Sequence, residues 1–264
     1  LAYNTVGFNG NDEVETPHLD ALAARGKLFT HTYNMGGYHG AVCVARRSML
    51  VTGQYLWHVQ KKEKEIRSKL QKEEQLWPQL LASAGSDTYF TGKWHIQADA
   101  EKAFKVARHS RGGMPKQTPE GYNRPIDGQP DPWDPSDPKF GGFWQGGKHW
   151  SEVVADDCLD YLNMAKESEN PFFMYIAFNA PHDPRQAPKS YVDRYPPEKI
   201  TLPQPFYPEY VYKDDIGCSA KLRDEKLAPF PRTERAVKVN RAEYYAIITH
   251  LDDQVARILE ALKA

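Results

Sequence analysis

Phe172-Phe173-Met174-Tyr175-Ile176-Ala177-Phe178, followed at once by Asn179-Ala180-Pro181-His182-Asp183-Pro184-Arg185, decides the fold. The run is almost continuously apolar. Lacking alternation, it predicts a strand buried on both faces, as in a parallel sheet. It is the most apolar stretch of the chain and far shorter than the ~20 residues of a membrane helix. Upstream, Trp150 to Met164 has helical spacing, with Val153, Val154, Cys158 and Tyr161 on one face. Before that, Leu76 to Ala84 reads as a helix stopping at Gly85. Thr88-Tyr89-Phe90-Thr91 then reads as a short strand running into Gly92-Lys93-Trp94-His95. Helices alternating with strands predict an α/β fold with a mainly parallel sheet.

Further out, Thr16 to Gly26 predicts a helix, with Thr16 as N-cap, Pro17 at the first position and Gly26 as the stop. Lys27 to Tyr33 predicts a strand, Gly36 to Gly40 a glycine-rich turn, and the residues after Cys43 a helix ending at Gly53. Ile96 to Lys148 reads as a long loop, and loops of that size in a compact domain usually serve function. Pro196 to Arg235 reads as a surface excursion, and Ala242 to Leu262 as an amphipathic helix. No repeat or low-complexity linker interrupts the chain, which favours one domain.

The bulk numbers exclude several classes. The 264 residues carry a formal net charge of -1, with 40% hydrophobic and 26% charged residues. Neither nucleic acid nor an anionic membrane surface is indicated as a partner. Anion affinity must come from a local cluster. Three cysteines, Cys43, Cys158 and Cys218, do not make a disulfide scaffold. Residue 1 is Leu and the last residues read as an uncapped helix, so the chain is expected to be a piece of a longer protein.

Three polar clusters follow predicted elements: Cys43 to Arg47, Lys93 to His95, and His182 to Arg185. Ligands of open α/β sheets bind at the carboxyl ends of the strands. Delivering Cys, Arg, Lys and His to one such edge would make an anion site. Cys43 begins a predicted helix, whose N-terminus attracts negative charge. Arg47 follows one turn later on the same face. Taken singly, each has a bland reading: a free Cys is usually core, a Lys usually solvated, and a His beside prolines as readily a turn residue.

The run Cys43-Val44-Ala45-Arg46-Arg47-Ser48-Met49-Leu50-Val51-Thr52-Gly53 resembles the signature of the sulfatase family, and Gly92-Lys93-Trp94-His95 resembles its second signature. Thr16 to Ala23, Ala180-Pro181-His182 and His250 to Val255 are also similar, in the family's order. The resemblance implies an alkaline-phosphatase-like α/β sandwich with a mainly parallel sheet flanked by helices, incomplete at both ends. Residues 1–264 would be part of an N-terminal catalytic domain. It implies hydrolysis of sulfate esters after a formylglycine-generating enzyme converts Cys43 to formylglycine, whose hydrate attacks sulfur and forms a covalent sulfate intermediate. Arg47 would orient that hydrate, Lys93 would neutralise sulfate, His95 would break down the intermediate, and His182 would protonate the leaving oxygen. The family's metal is calcium, with magnesium the alternative. Only Cys43, as formylglycine, would be a ligand here; the other ligands are expected beyond both ends, so this stretch alone is expected to be inactive. Asp252 and Asp253 look catalytic, but fall in a predicted helix and match no family ligand. Periplasmic or secreted placement is the family expectation.

Lys148 and His149, after Gly146-Gly147, are candidates for substrate contact. Trp133, Trp144 and Trp150 offer a sugar-stacking surface or ordinary loop packing, and Arg108, Arg111 and Lys116 form a basic group that could grip a polyanion but reads first as a solvated loop. A sulfated carbohydrate is the expected substrate. A phosphonate or phosphodiester hydrolase of the same superfamily, and a non-catalytic anion-binding relative, are the alternatives.

Overall fold

The computed structural model, which describes residues 2–38 and 42–264, has helices and parallel strands in the α/β arrangement expected, with differences in which segments form strands. Helices α1 (Pro17–Arg25), α2 (Val42–Thr52), α3 (Leu56–Lys62) and α4 (Trp77–Ser83) precede strand β1 (Asp87–Lys93). Then come α5 (Ala100–Ala103), β2 (Val106–Arg111), the short β3 (Trp144–Gln145) and β4 (Lys148–His149), α6 (Trp150–Lys166) and β5 (Phe172–Ala177). Helices α7 (Lys189–Val192) and α8 (Glu234–Lys263) come last. Part of the turn expected over Gly36 to Gly40 lies outside the described residues.

The chain packs as two compact units. One comprises Leu1–Arg25, Pro115–His149 and Ala180–Val255; the other comprises Gly26–Met114, Trp150–Asn179 and Ala256–Ala264. The second unit holds a parallel sheet in the order β2-β1-β5. Alternate residues of β1 serve its two faces. Tyr89 packs on Tyr161 of α6 with ring centroids 5.1 Å apart, and Thr91 donates to Asp157 of α6 at 2.6 Å. On the other face Phe90 meets Trp94, Phe104 and Tyr175 at 5.1, 5.2 and 5.6 Å, in a core that includes Val51 of α2 and Leu76. Helices thus flank the sheet. Gly92 is required where β1 meets β5: its φ is +98°, and a Cβ there would lie 2.1 Å from the Ala177 carbonyl oxygen.

Three expectations change. Lys27 to Tyr33 forms no strand, and Phe29 and Tyr33 are 80% and 83% exposed; the segment has no partner among the described strands. The loop expected over Ile96 to Lys148 contains β2, which pairs along the whole of β1 from Tyr89 onward. Strand β5 is only partly buried, because among the described strands it pairs with β1 alone.

In the first unit α1 begins at Pro17 as expected, but its free N–H groups are not capped by Thr16. Asp252 of α8, 234 residues along the chain from His18, accepts from His18 N at 3.0 Å and Leu19 N at 2.8 Å. Thr16 instead donates to Asp20 at 3.0 Å. Arg124 is buried between Asp131 and Glu243, donating to Glu243 at 2.9 Å. Two glycines with positive φ, Gly146 and Gly147, make the two-residue turn between β3 and β4.

Candidate active site

The sheet-bearing unit places several expected residues at the carboxyl end of β1. Cys43 is the second residue of α2 and is half-buried. Arg47, one turn on, donates from Nη1 to the Lys93 carbonyl, and from the same nitrogen to the Tyr175 hydroxyl at 3.1 Å. The guanidinium therefore ties α2 to β1 and β5 together. Lys93 is the last residue of β1 and is buried.

His95 adopts a left-handed backbone, φ +55°, which ordinary side chains visit sparingly. Its ring lies under the Gly112-Gly113 strap: a Cβ on Gly113 would approach His95 Cε1 to 2.4 Å. Asn179, just past β5, donates to the carbonyls of Gly112 and Gly113 at 3.1 and 3.4 Å and pins that strap. A cleft of about 430 Å³ opens here, lined by Val44, Trp94, His95, Ile96, Gln97, Ser110, Arg111 and Gly112. Trp94 itself is buried and donates to the Ala98 carbonyl at 2.7 Å.

Arg111 ends β2 on this edge, with its Cζ 4.4 Å from the Trp150 ring centroid. Burial pulls its pKa down to about 10 against the opposing charge of Asp157, so it stays a cation near neutrality. The basic group was visible in the sequence, but the strand beneath it was not: Val106-Ala107-Arg108-His109-Ser110-Arg111 has one strongly β-forming residue and no clean alternation. Arg108 instead pairs with Asp160 at 2.6 Å and lies over Tyr161. Tyr175 and Asn179 were likewise missed as supports.

The other expected residues belong to the first unit. His182 Nδ1 lies 3.0 Å from both the Asp183 carbonyl oxygen and Asp183 Oδ1. Burial raises the Asp183 pKa, but the His182 hydrogen bond and the charges of His182 and Arg223 outweigh it and hold the carboxyl at about 2. The Arg223 contact is 2.7 Å. Lys148 is exposed. His149 is fully buried: it stacks on Phe143 at 4.9 Å, meets His250 edge-on at 4.6 Å, and bonds the Gln186 carbonyl at 3.0 Å. Trp133 is buried against Phe140 with ring centroids 4.8 Å apart.

A profile of the sulfatase family matches residues 1–264. The chain belongs to the sulfatase family. It is similar to an ulvan-active sulfatase of Formosa agariphila, 25% identical over 266 residues, covering 98% of this chain and 44% of that protein. It is also similar to an arylsulfatase of Clostridium perfringens, 27% identical over 303 residues, covering 97% of this chain and 56% of that protein. The sulfatase chain thus spans about half the length of these curated relatives. Its fold matches that of a phosphonate monoester hydrolase of Agrobacterium radiobacter, with a TM-score of 0.63 at 17% identity, over 98% of this chain and 56% of that one.

The sulfatase family implies a metal ion and a formylglycine. Among the described residues one group has metal-ligand chemistry: His18, Asp252 and Asp253. Both Asp252 oxygens are occupied by backbone N–H groups of α1, and Asp253 accepts from the Tyr191 hydroxyl at 2.7 Å. A hard divalent cation takes six or more oxygens. This group is a helix cap and does not fit one. No helix among the described residues is long and apolar enough to cross a membrane.

Proposed function

We propose that the protein containing this sulfatase chain hydrolyses sulfate esters of a carbohydrate, with Cys43 matured to formylglycine by a formylglycine-generating enzyme. One observation carries the reading. Arg47 of the Cys43 helix is bonded to Lys93 at the end of β1, and His95 lines the cleft beside them. Formylglycine would supply a hydrated aldehyde whose oxygen attacks sulfur.

The chain's own residues would do the rest. Arg47, fixed by Lys93 and Tyr175, presents positive charge one turn from position 43. Lys93 and the α2 N-terminus favour the sulfate group there. His95, held under the glycine strap, is the base. His182 would protonate the leaving oxygen from Nε2 as the imidazolium, a form that the Asp183 carboxylate 3.0 Å from Nδ1 would stabilise. Lys148 is the remaining candidate for substrate contact; His149 supports its hairpin from inside.

The carbohydrate preference rests on the relative named for ulvan and on a cleft whose volume suits a sugar. The fold is shared with a phosphonate hydrolase, so the leaving anion must be tested directly. The whole protein, coexpressed with a formylglycine-generating enzyme, is expected to release sulfate from sulfated saccharides, and its Cys43→Ala variant to release none. Mass spectrometry of the Cys43 peptide reads the conversion. Turnover of phosphonates without sulfate release would replace the sulfate reading, and an unconverted thiol would sink the formylglycine mechanism.

A further inference from the structure

The register of β2 against β1 changes once. Thr91 lies opposite Arg108, yet Gly92 lies opposite Ser110 and Lys93 opposite Arg111. His109 is the extra residue, with φ +43°. A bulge of this kind bends the strand and re-aims the side chains beyond it. With unbroken register Ser110 would stand beside Lys93. The bulge puts an arginine there.

The bulge is held from α6. Asp157 Oδ2 lies 2.8 Å from His109 Nδ1 and accepts from Thr91 Oγ1 at 2.6 Å. One buried carboxylate therefore grips the extra residue of β2 and its neighbour on β1. Arg111 is positioned at two further points. Its carbonyl accepts from Trp94 N at 2.8 Å, and its guanidinium lies over Trp150. The Trp150 ring confines the guanidinium, whose fork of N–H donors suits an oxyanion. Arg111 lines the same cleft as His95.

The geometry points to Arg111 as a further anion-binding residue of the active site, gripping the sulfate group of the substrate alongside Lys93. This rests on the sulfatase reading of the site. The bulge and the Asp157 clamp are then positioning devices, and the basic side chain they deliver is one that a regular strand would not place there.

The test uses the whole protein and inorganic sulfate as probe, with binding read by calorimetry and circular dichroism as the fold control. Arg111→Gln should weaken sulfate binding about tenfold, the loss of one charge-assisted pair. Arg111→Lys, which keeps the charge without the fork, should weaken it about threefold. Arg108→Gln, on the same strand but paired with Asp160, should bind as wild type. With a sulfated saccharide, Arg111→Gln should raise KM by a similar factor. Unchanged affinity in Arg111→Gln or Arg111→Lys, or no sulfate binding by the wild type, overturns the assignment. Sulfate release with an unchanged KM in Arg111→Gln removes Arg111 and leaves the sulfatase reading. Arg111-dependent sulfate binding without sulfate release keeps Arg111 and removes that reading.

Discussion

Two neighbouring strands of one sheet behave oppositely to their compositions. β5, Phe172–Ala177, is wholly apolar, yet only Ala177 is buried and Phe172 is 45% exposed. β1, Asp87–Lys93, contains aspartate, two threonines, a glycine and a lysine, yet all but Asp87 are buried. Position in the sheet explains the difference. β1 is paired along both edges and covered on both faces, whereas β5, among the described strands, pairs with β1 alone. Polar groups in β1 can be buried where they are satisfied: Thr88 accepts from Lys105 N at 2.9 Å and Thr91 donates to Asp157. An apolar run signals fitness for a sheet; the strands and helices packed around it decide burial.

The strongest way to break this contrast is Gly92→Ala. Its Cβ would strike the Ala177 carbonyl in a left-handed backbone, with backbone on the other side of the clash. The expected loss is about 4 kcal/mol or more, seen as a collapse of the urea midpoint. Retention of near wild-type stability would mean that β1 and β5 do not approach as described.

A paired substitution sharpens it. Phe90→Ala empties a fully buried site packed against aromatic rings and should cost about 3–5 kcal/mol. Phe172→Ala, on the apolar but half-open strand, should cost under about 1 kcal/mol. Chemical denaturation of the two variants side by side is the measurement. Equal losses would show that composition, not sheet position, governs the energetics.

The smallest effect lies at the entry of β1. Asp87 bonds Lys105 at 2.9 Å and accepts from Ser168 at 2.6 Å; the Lys105 hydrogen bond, then that of Ser168, hold its carboxyl below the ordinary carboxylate range. A depressed carboxyl stabilises the fold above its unfolded pKa and loses that contribution as pH falls through the folded value. The stability gap between wild type and Asp87→Asn should therefore shrink on going from about pH 6 to about pH 2.5. A gap that widens in acid would reverse the assignment.

Much of the site's raw material was legible along the chain. Cys43 to Gly53 and Gly92 to His95 carry local signals, a helix start and a strand end, because their chemistry is written in adjacent residues. Tyr175 and Asn179 were not legible as supports, and Arg111 read only as part of a basic loop. Each acts through a partner distant in sequence: Tyr175 through Arg47, Asn179 through the strap at Gly112-Gly113, and Arg111 through a bulge clamped by Asp157. His149 read as a candidate for substrate contact from its place after Gly146-Gly147 and before a helix, and burial against Phe143 and His250 is a property of packing alone.

The sequence by itself determined the long helices and strands β1 and β5, the family, and the order of the polar clusters, because periodicity, turn residues and short motifs act over a few residues. Tertiary structure decided which strand is central, where β2 slips its register, and what caps α1. The need for an acceptor at the α1 N-terminus was readable at Thr16-Pro17, but the acceptor is Asp252, brought from 234 residues away. An unsatisfied N–H specifies that it must be paired; only the folded chain specifies by what.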